Sequence, residues 1–303
     1  MVLFSIIVAN YNNGRYLDDL IQSVLKQTYT NWELIIADDA STDHSDKVVA
    51  KYLSDLRIHW HRHEVNAGAG AAFKTACDNS SGEIIGMLGA DDGLVPEALD
   101  KMITAHSMQK NASMITSMAY DCDADFNQIG ICKISGKQPE GVSFIREIHI
   151  CNFVTFKKEF YQKTKGFEVQ YKRGVDVDIY LKMEECGGTI GFLAEPVYLY
   201  RRHSGGISQG GNGTLAHSYV LWAQVEAYKR RKICQFQPNL TFKEYQAKAV
   251  NCFQLKSYYA RKEGHWTMAA GYALMCVASD KTYLLNKTFW SALFYNLIKK
   301  RAL

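Results

Sequence analysis

Residues 3–9 form an apolar run interrupted only by Ser5, the pattern of a strand covered on both faces. Leu17, Leu20, Ile21, Val24 and Leu25 then recur at helical spacing, which predicts an amphipathic helix lying on a sheet. Residues 33–37 read as a second strand. The polar stretch Asp38-Asp39-Ala40-Ser41-Thr42-Asp43 after it can cap a helix running through Val48, Val49 and Leu53. A third strand over 57–61, a helix over 69–79 and a fourth strand over 83–88 complete the alternation. Strand followed by helix, repeated, predicts a mostly parallel α/β sheet with helices on its faces. Such sheets bind ligands at the carboxyl ends of their strands. Asp38-Asp39 and Asp91-Asp92 each follow a strand, so both acidic pairs fall on that rim.

The second hundred residues are less regular. A helix is expected over 99–108, a hairpin-like pair of strands over 113–118 and 129–134, and further strands over 153–156, 190–193 and 197–200. A glycine-rich segment from Gly205 to Gly213 reads as a flexible loop or hinge. From Leu215 onward the period is helical throughout. The expected organisation is an α/β domain over 1–210, with halves 1–100 and 101–210, and a helical basic region over 215–303.

Charge sharpens that division. From Leu215 to the end there are 14 Lys and Arg against 4 Asp and Glu, whereas the rest carries 21 against 27. An acidic front and a basic tail imply different partners for the two regions. In the tail, Trp290, Leu293, Phe294, Leu297 and Ile298 share one helical face ahead of Lys299-Lys300-Arg301, and Lys229-Arg230-Arg231-Lys232 is a second basic cluster. This pattern suits either a helix resting on an anionic membrane surface or an apolar face packed on the protein with solvated lysines. No nucleic-acid module is present, and the acidic front argues against that partner. No run of 18 apolar residues occurs, and the first strand has neither the basic flank nor the cleavage site of a signal peptide. The eight cysteines (77, 122, 132, 151, 186, 234, 252 and 276) contain no CxxC pair, as expected of reduced thiols in a cytoplasmic protein.

The acidic pairs carry the candidate chemistry. Adjacent carboxylates repel each other and favour a bound cation, and hard oxygen ligands beside an anionic substrate suit Mg²⁺ or Mn²⁺. Taken alone, Asp91-Asp92-Gly93 is equally a capped turn. Asp176 and Asp178 are likewise what a helix N-cap ahead of Ile179 would use.

An ordered series of motifs changes that balance. Ser5-Ile6-Ile7-Val8-Ala9-Asn10-Tyr11-Asn12 is followed by Gln27-Thr28-Tyr29, then Glu33 to Asp43, then Asn66-Ala67-Gly68 leading to Gly82 through Asp92. Further on come Gly166-Phe167, Val175-Asp176-Val177-Asp178, and Tyr200-Arg201-Arg202-His203 through Ser208. Over roughly residues 3–208 this series resembles the inverting family 2 glycosyltransferases of GT-A fold. The resemblance implies transfer of a sugar from a nucleotide diphosphate donor, expected to be UDP-linked, to a hydroxyl acceptor. Polysaccharide or lipid-linked glycan synthesis is the implied setting. Tyr11 and the backbone near Ala9 would pack on the base, and Asp39 would accept a hydrogen bond from its imide N–H. Asp91 would serve the ribose or the metal, and Asp91, Asp92 and His203 form the candidate set for Mn²⁺ or Mg²⁺. Asp176 matches the general base that deprotonates the acceptor hydroxyl. Asp178, Arg201 and Ser208 are candidate acceptor or diphosphate contacts.

Three departures from the family pattern stand out. Gly89 replaces the first acid of the common Asp-x-Asp-Asp, Val175 replaces the acid before the base, and Phe73-Lys74 replaces an Arg-Asn pair. Lys74 is therefore a candidate for the missing phosphate charge. His59, His61 and His63 alternate on a strand and are expected to be structural or solvent-facing. A nucleotidyltransferase would want a Gly-rich basic loop after the first strand, which Asn10 to Arg15 supplies poorly. A non-catalytic nucleotide-sugar-binding protein stays open as the second alternative.

Overall fold

The computed structural model describes residues 1–133, 136–150, 153–206, 213–234 and 240–285. The chain divides into two units, Met1–Ser143 with Glu147–Gly206, and Phe144–Arg146 with Ile207–Leu303.

The first unit opens as β1 (Phe4–Asn10), α1 (Gly14–Leu25), β2 (Trp32–Asp38), α2 (Ser45–Ala50), β3 (Ile58–Arg62), α3 (Ala69–Asp78) and β4 (Ile84–Gly89). These four strands are parallel and lie in the order β3-β2-β1-β4. β1 is flanked on both sides and covered on both faces, so Phe4, Ile6, Ile7 and Val8 are fully buried, which accounts for its apolar run. Leu17, Leu20, Ile21 and Val24 of α1 pack into the same core as Leu34 and Ile36 of β2.

The chain continues through β5 (Gly93–Leu94), α4 (Ala98–Met108), β6 (Met114–Cys122), β7 (Gln128–Ile131), β8 (Val154–Lys157), α5 (Lys158–Lys163), α6 (Val175–Glu185) and β9 (Ile190–Arg201). The sheet extends as β4-β8-β6-β9-β5, with β7 paired to β6 as the expected hairpin. β8 runs antiparallel to both neighbours, whereas β9 is parallel to β6, so only the half built from β1 to β4 is uniformly parallel. The two strands expected over 190–193 and 197–200 are one strand. Leu193 faces Ser117 and Pro196 faces Met118, so β9 bulges by two residues where proline has no N–H for the ladder. The capping expected after β2 is also modified. Asp43 accepts the Ser45 N–H at 3.0 Å, while Asp38 and Asp39 turn to the neighbouring loops.

The second unit holds α7 (Gly213–Ile233), α8 (Phe242–Lys262), α9 (Trp266–Ser279) and a 3₁₀ turn, Lys281–Leu285. A capping box starts α8: the Thr241 hydroxyl accepts the Glu244 N–H at 3.2 Å, and Glu244 accepts the Thr241 N–H at 2.7 Å. Phe144–Arg146 joins this unit through its backbone, since Gln224 Nε2 donates to the Phe144 carbonyl at 2.9 Å and Lys248 Nζ to that of Arg146 at 3.2 Å. The basic cluster at the end of α7 is not a uniform surface: Arg231 is fully buried and Lys229 pairs with Glu226 at 2.8 Å. Among the described residues no helix is long and apolar enough to cross a membrane. The face built on Trp290 to Ile298 lies outside the described residues. The seven cysteines among the described residues are all free thiols.

Candidate active site

Strand order places the site. β1 leads to β2 on one side and β4 lies on the other, so the chain changes direction between β1 and β4, where parallel sheets open a ligand crevice. Ala9 sits in register with Ala37 and Gly89, and Asn10 with Asp38, which aligns three strand ends on one rim. Asp38 is fully buried and closes that rim structurally. Its Oδ1 accepts from Asn10 Nδ2 at 2.7 Å and its Oδ2 from the Ser41 N–H at 3.0 Å. The next loop is tied on: the Asn12 N–H donates to Ser41 Oγ at 2.9 Å, and the Gly14 N–H to Asp43 Oδ2 at 2.8 Å. Tyr11 is held above this rim and stays 47 % exposed, free to meet a planar ligand.

Asp39 is the hub of the crevice at the end of β2. Its Oδ1 accepts the Ala67 N–H at 2.9 Å and lies 2.9 Å from His63 Nδ1, and its Oδ2 accepts the Gly68 N–H at 2.6 Å. His63 Nε2 lies 2.8 Å from Thr75 Oγ1 of α3. The Asn66-Ala67-Gly68 turn thus folds onto Asp39, and Gly68 does so at φ +95°, where a side chain would be strained. Three of about four acceptor positions on the carboxylate are used, and its side chain is only 3 % exposed. Gly70 answers a different need: a Cβ there would lie 2.1 Å from the Glu168 carbonyl oxygen, so α3 can approach the 168–171 turn only with glycine.

The second acidic pair separates into unlike roles. Asp92 is 3 % exposed and its oxygens are taken by the Tyr198 hydroxyl at 2.5 Å and the Arg201 N–H at 2.8 Å. Burial first, and the charge of Asp91 next, push its carboxyl well above the usual carboxylate range, against the pull of these two donors. Asp92 therefore clamps β9 to the end of β4. Asp91 is the more open of the two, 24 % exposed at its side chain, and its Oδ2 lies 2.8 Å from His203 Nε2. The glycine at 89 follows from the same packing. A Cβ on Gly89 would sit 2.5 Å from Asp92 Oδ2 and 3.1 Å from the Tyr198 hydroxyl, so the first acid of the fuller motif has no room here.

The spacing of Asp91 and His203 is that of two adjacent ligands of a small divalent cation. Two adjacent ligands about 2.1 Å from an octahedral ion lie about 3.0 Å apart, close to the 2.8 Å between Oδ2 and Nε2. A carboxylate oxygen suits both Mn²⁺ and Mg²⁺, and an imidazole nitrogen favours the softer Mn²⁺ of the two. Among the described residues no group of three His, Cys, Asp or Glu side chains gathers around an ion position. Phosphate and water oxygens would complete the shell, as small hard cations allow.

Arg201 is 2 % exposed and its guanidinium is spent on structure. Nε donates to the Asp91 carbonyl at 2.8 Å, Nη1 to the Ala124 carbonyl at 2.9 Å, and Nη2 to Asp19 Oδ2 at 2.7 Å. It stacks over Tyr16 and Phe126, with 4.7 and 4.0 Å from Cζ to the ring centroids. Tyr16 in turn packs on His203, centroids 4.7 Å apart, and so orients the imidazole toward Asp91. Lys74 lines the cavity beside His63 and Ala67 and is paired with Asp78 one helical turn on at 2.5 Å. Ser208 lies outside the described residues.

Asp176 stands in the first turn of α6, partly exposed, with no partner side chain among the causes of its titration shift. Burial of its carboxyl raises its pKa, and the N–H groups of Val177 and Asp176 oppose the rise. Asp178, expected to cap this helix, does not: no side chain caps α6. Asp178 is 1 % exposed and pairs with Lys182 at 2.9 Å. Lys182 Nζ also donates to the Gly166 carbonyl at 2.7 Å and to Glu168 Oε1 at 3.0 Å. The pair anchors the Gly166-Phe167 turn to α6 and offers an acceptor no open oxygen.

Three contributors, Tyr198, Tyr16 and Asp19, escaped the sequence reading, and a fourth, His63, expected to be structural or solvent-facing, is turned onto Asp39. Each acts on a residue 24 to 187 positions away in the chain, too far for any local pattern to register.

A crevice at the carboxyl edge of a parallel half-sheet, with an acid–imidazole pair at one strand end, defines a glycosyltransferase of GT-A fold. Residues 5–179, more than half of the chain, match Glycosyl transferase family 2, and the protein belongs to that family. The structure of S. aureus TarS 1-349 in complex with UDP-GlcNAc shares the fold, with a TM-score of 0.65 at 17% identity over 92% of this chain and 82% of that one. The glycosyltransferase GlyG of Streptococcus pneumoniae serotype 4 is 29% identical over 224 residues, 68% of this chain and 72% of GlyG. The Escherichia coli UDP-Glc:alpha-D-GlcNAc-diphosphoundecaprenol beta-1,3-glucosyltransferase WfgD is 40% identical over 102 residues, 34% of this chain and 40% of WfgD.

Proposed function

We propose that this glycosyltransferase moves a sugar from a UDP-sugar to a hydroxyl of a growing glycan, with inversion at the anomeric carbon. The Asp91–His203 pair at the end of β4 carries the reading, because it is a two-donor site beside the crevice that parallel sheets use for nucleotides. The remaining acceptor position on Asp39 suits the imide N–H of uracil, a donor that cytosine lacks. Tyr11 offers its exposed ring to the base. A divalent ion at Asp91 and His203 would supply electrophilic assistance to the leaving diphosphate. Asp92 is assigned to support: it holds β9, and with it His203, in reach of Asp91. Asp176 accepts the proton of the attacking hydroxyl, and its raised pKa brings it nearer the range a base needs for that transfer. The name of WfgD, with its diphosphoundecaprenol acceptor, supports an acceptor in the same chemical class, a glycan carried on a lipid diphosphate.

The test is a thermal-shift titration of the full chain with UDP, with and without Mn²⁺, on the parent and on Asp91→Asn. Binding to the folded state raises Tm by linkage. The parent is expected to show a UDP shift that Mn²⁺ enlarges, and Asp91→Asn to lose the enlargement. An equal Mn²⁺ effect in both proteins would remove Asp91 from the metal site.

A further inference from the structure

The leaving nucleoside diphosphate gains a negative charge as the sugar departs, and a fixed cation beside it stabilises that moment more than the ground state. The cations expected near the site are engaged elsewhere. Lys74 pairs with Asp78, Arg202 with Asp121, and Arg201 with Asp19 and two carbonyls. We propose that Arg15, on the first turn of α1, is the residue that binds the diphosphate, which rests on the nucleotide-sugar reading above.

The argument is positional. Gly14 is pinned by its N–H to Asp43 at 2.8 Å, and a Cβ there would meet the Ser45 nitrogen at 2.8 Å, so the start of α1 cannot move freely against the β2–α2 loop. Tyr16 on the other side is buried between Arg201 and His203. Arg15 is thus held on a rigid turn, while its own side chain is exposed and lies over the Tyr16 ring, 4.4 Å from Cζ to the centroid. Its guanidinium lies beside the His203 imidazole on the Nδ1 edge, the Nε2 edge being turned to Asp91. A Cβ built on Gly205 would lie 3.6 Å from Arg15 Nη2 and 3.4 Å from His203 Nδ1, so little more than one methyl-sized volume separates the two groups. Among the described residues no ion pair engages Arg15, and the acids near it have partners: Asp43 in backbone and hydroxyl donors, Asp18 in Lys51, Asp19 in Arg201. Tyr16 links the parts, because the ring that orients His203 also carries Arg15. A planar guanidinium there can meet phosphate oxygens with two parallel N–H donors. Arginine at this position also compensates for the pair that Phe73-Lys74 replaces, from a different element of the fold.

The experiment compares Arg15→Gln and Arg15→Lys with the parent, measuring calorimetric affinity for uridine and UDP, and the release of UDP from the donor sugar. Arg15→Gln should weaken UDP roughly 10- to 100-fold, the worth of a charge-assisted contact, and leave uridine unchanged. Arg15→Lys should recover part of the loss, and turnover should fall at saturating donor in Arg15→Gln. Thermal unfolding of both variants should match the parent, because the side chain is exposed. Equal UDP affinity in Arg15→Gln and the parent would overturn the proposal and leave the functional reading standing. Equal weakening of uridine and UDP would also overturn it, since Arg15 would then shape the loop only. A parent that binds uridine and UDP with no preference for the diphosphate would overturn the functional reading, and this proposal with it.

Discussion

The clamp at Asp92 is the most direct test of how this site is held, and Tyr198→Phe probes it with a single atom. Tyr198 is fully buried and stacks on Phe153 with ring centroids 6.0 Å apart, so phenylalanine keeps the ring packing and opens almost no cavity. What is lost is the hydroxyl that donates to Asp92 Oδ2 and accepts the Gly89 N–H at 3.1 Å. A hydrogen bond to a charged group contributes about 1.5–3 kcal/mol, and a buried N–H left without a partner costs about 1–3 kcal/mol. Protonation of Asp92 relieves part of the loss, so the expected net destabilisation is roughly 2–5 kcal/mol. In a unit of this size that is a fall in Tm on the order of 5–15 °C. The pH dependence has a definite sign. Asp92 already titrates above its unfolded value, and the Tyr198 hydrogen bond is one of the groups pulling it down. Without that bond the folded pKa rises further. Between the unfolded value near 3.9 and the raised one, the folded chain binds more protons than the unfolded chain, so stability falls as pH increases. The Tyr198→Phe deficit should therefore be smallest near pH 5 and larger at pH 8, read by urea unfolding at both. A deficit below about 1 kcal/mol, or one that shrinks as pH rises, would refute the clamp.

Two further outcomes follow from α6. Asp176→Asn should abolish transfer with donor affinity largely kept. In the parent, kcat/KM should fall on the acid side at a pH above the ordinary aspartate range, because the base must be ionised and burial raises its pKa. By the same linkage the Asn variant should be the more stable protein above that range, and an acid limb at the ordinary value would contradict the assignment. Asp178→Ala leaves Lys182 buried with Glu168 and one carbonyl, a loss of about 2–4 kcal/mol in urea unfolding. Asp178→Leu with Lys182→Met should recover most of it. Equal stabilities of the Ala variant and the parent would mean that the pair anchors nothing.

The local pattern was enough to read the first, parallel half of the fold. Continuous apolar strands and 3.6-residue apolar stripes admit only a sheet with helices on its faces, and short β–α–β connections force its parallel order. The strand-end position of Asp39 and Asp91 followed from that order alone, because a residue just after a parallel strand has to face the carboxyl rim. The irregular half was less legible: Pro196 interrupts β9, and no period reveals that the two pieces are one strand. Residue by residue, the sequence could not separate Asp91 from Asp92, since adjacent identical acids share every local property. Only the return of β9 does so, bringing Tyr198 and the Arg201 N–H onto one carboxylate and His203 onto the other. The same holds for Arg201 and Arg15. Charge and hydrogen-bonding capacity are written in the chain, but which of two arginines is spent on carbonyls and which stays open is decided by contacts between segments far apart in sequence.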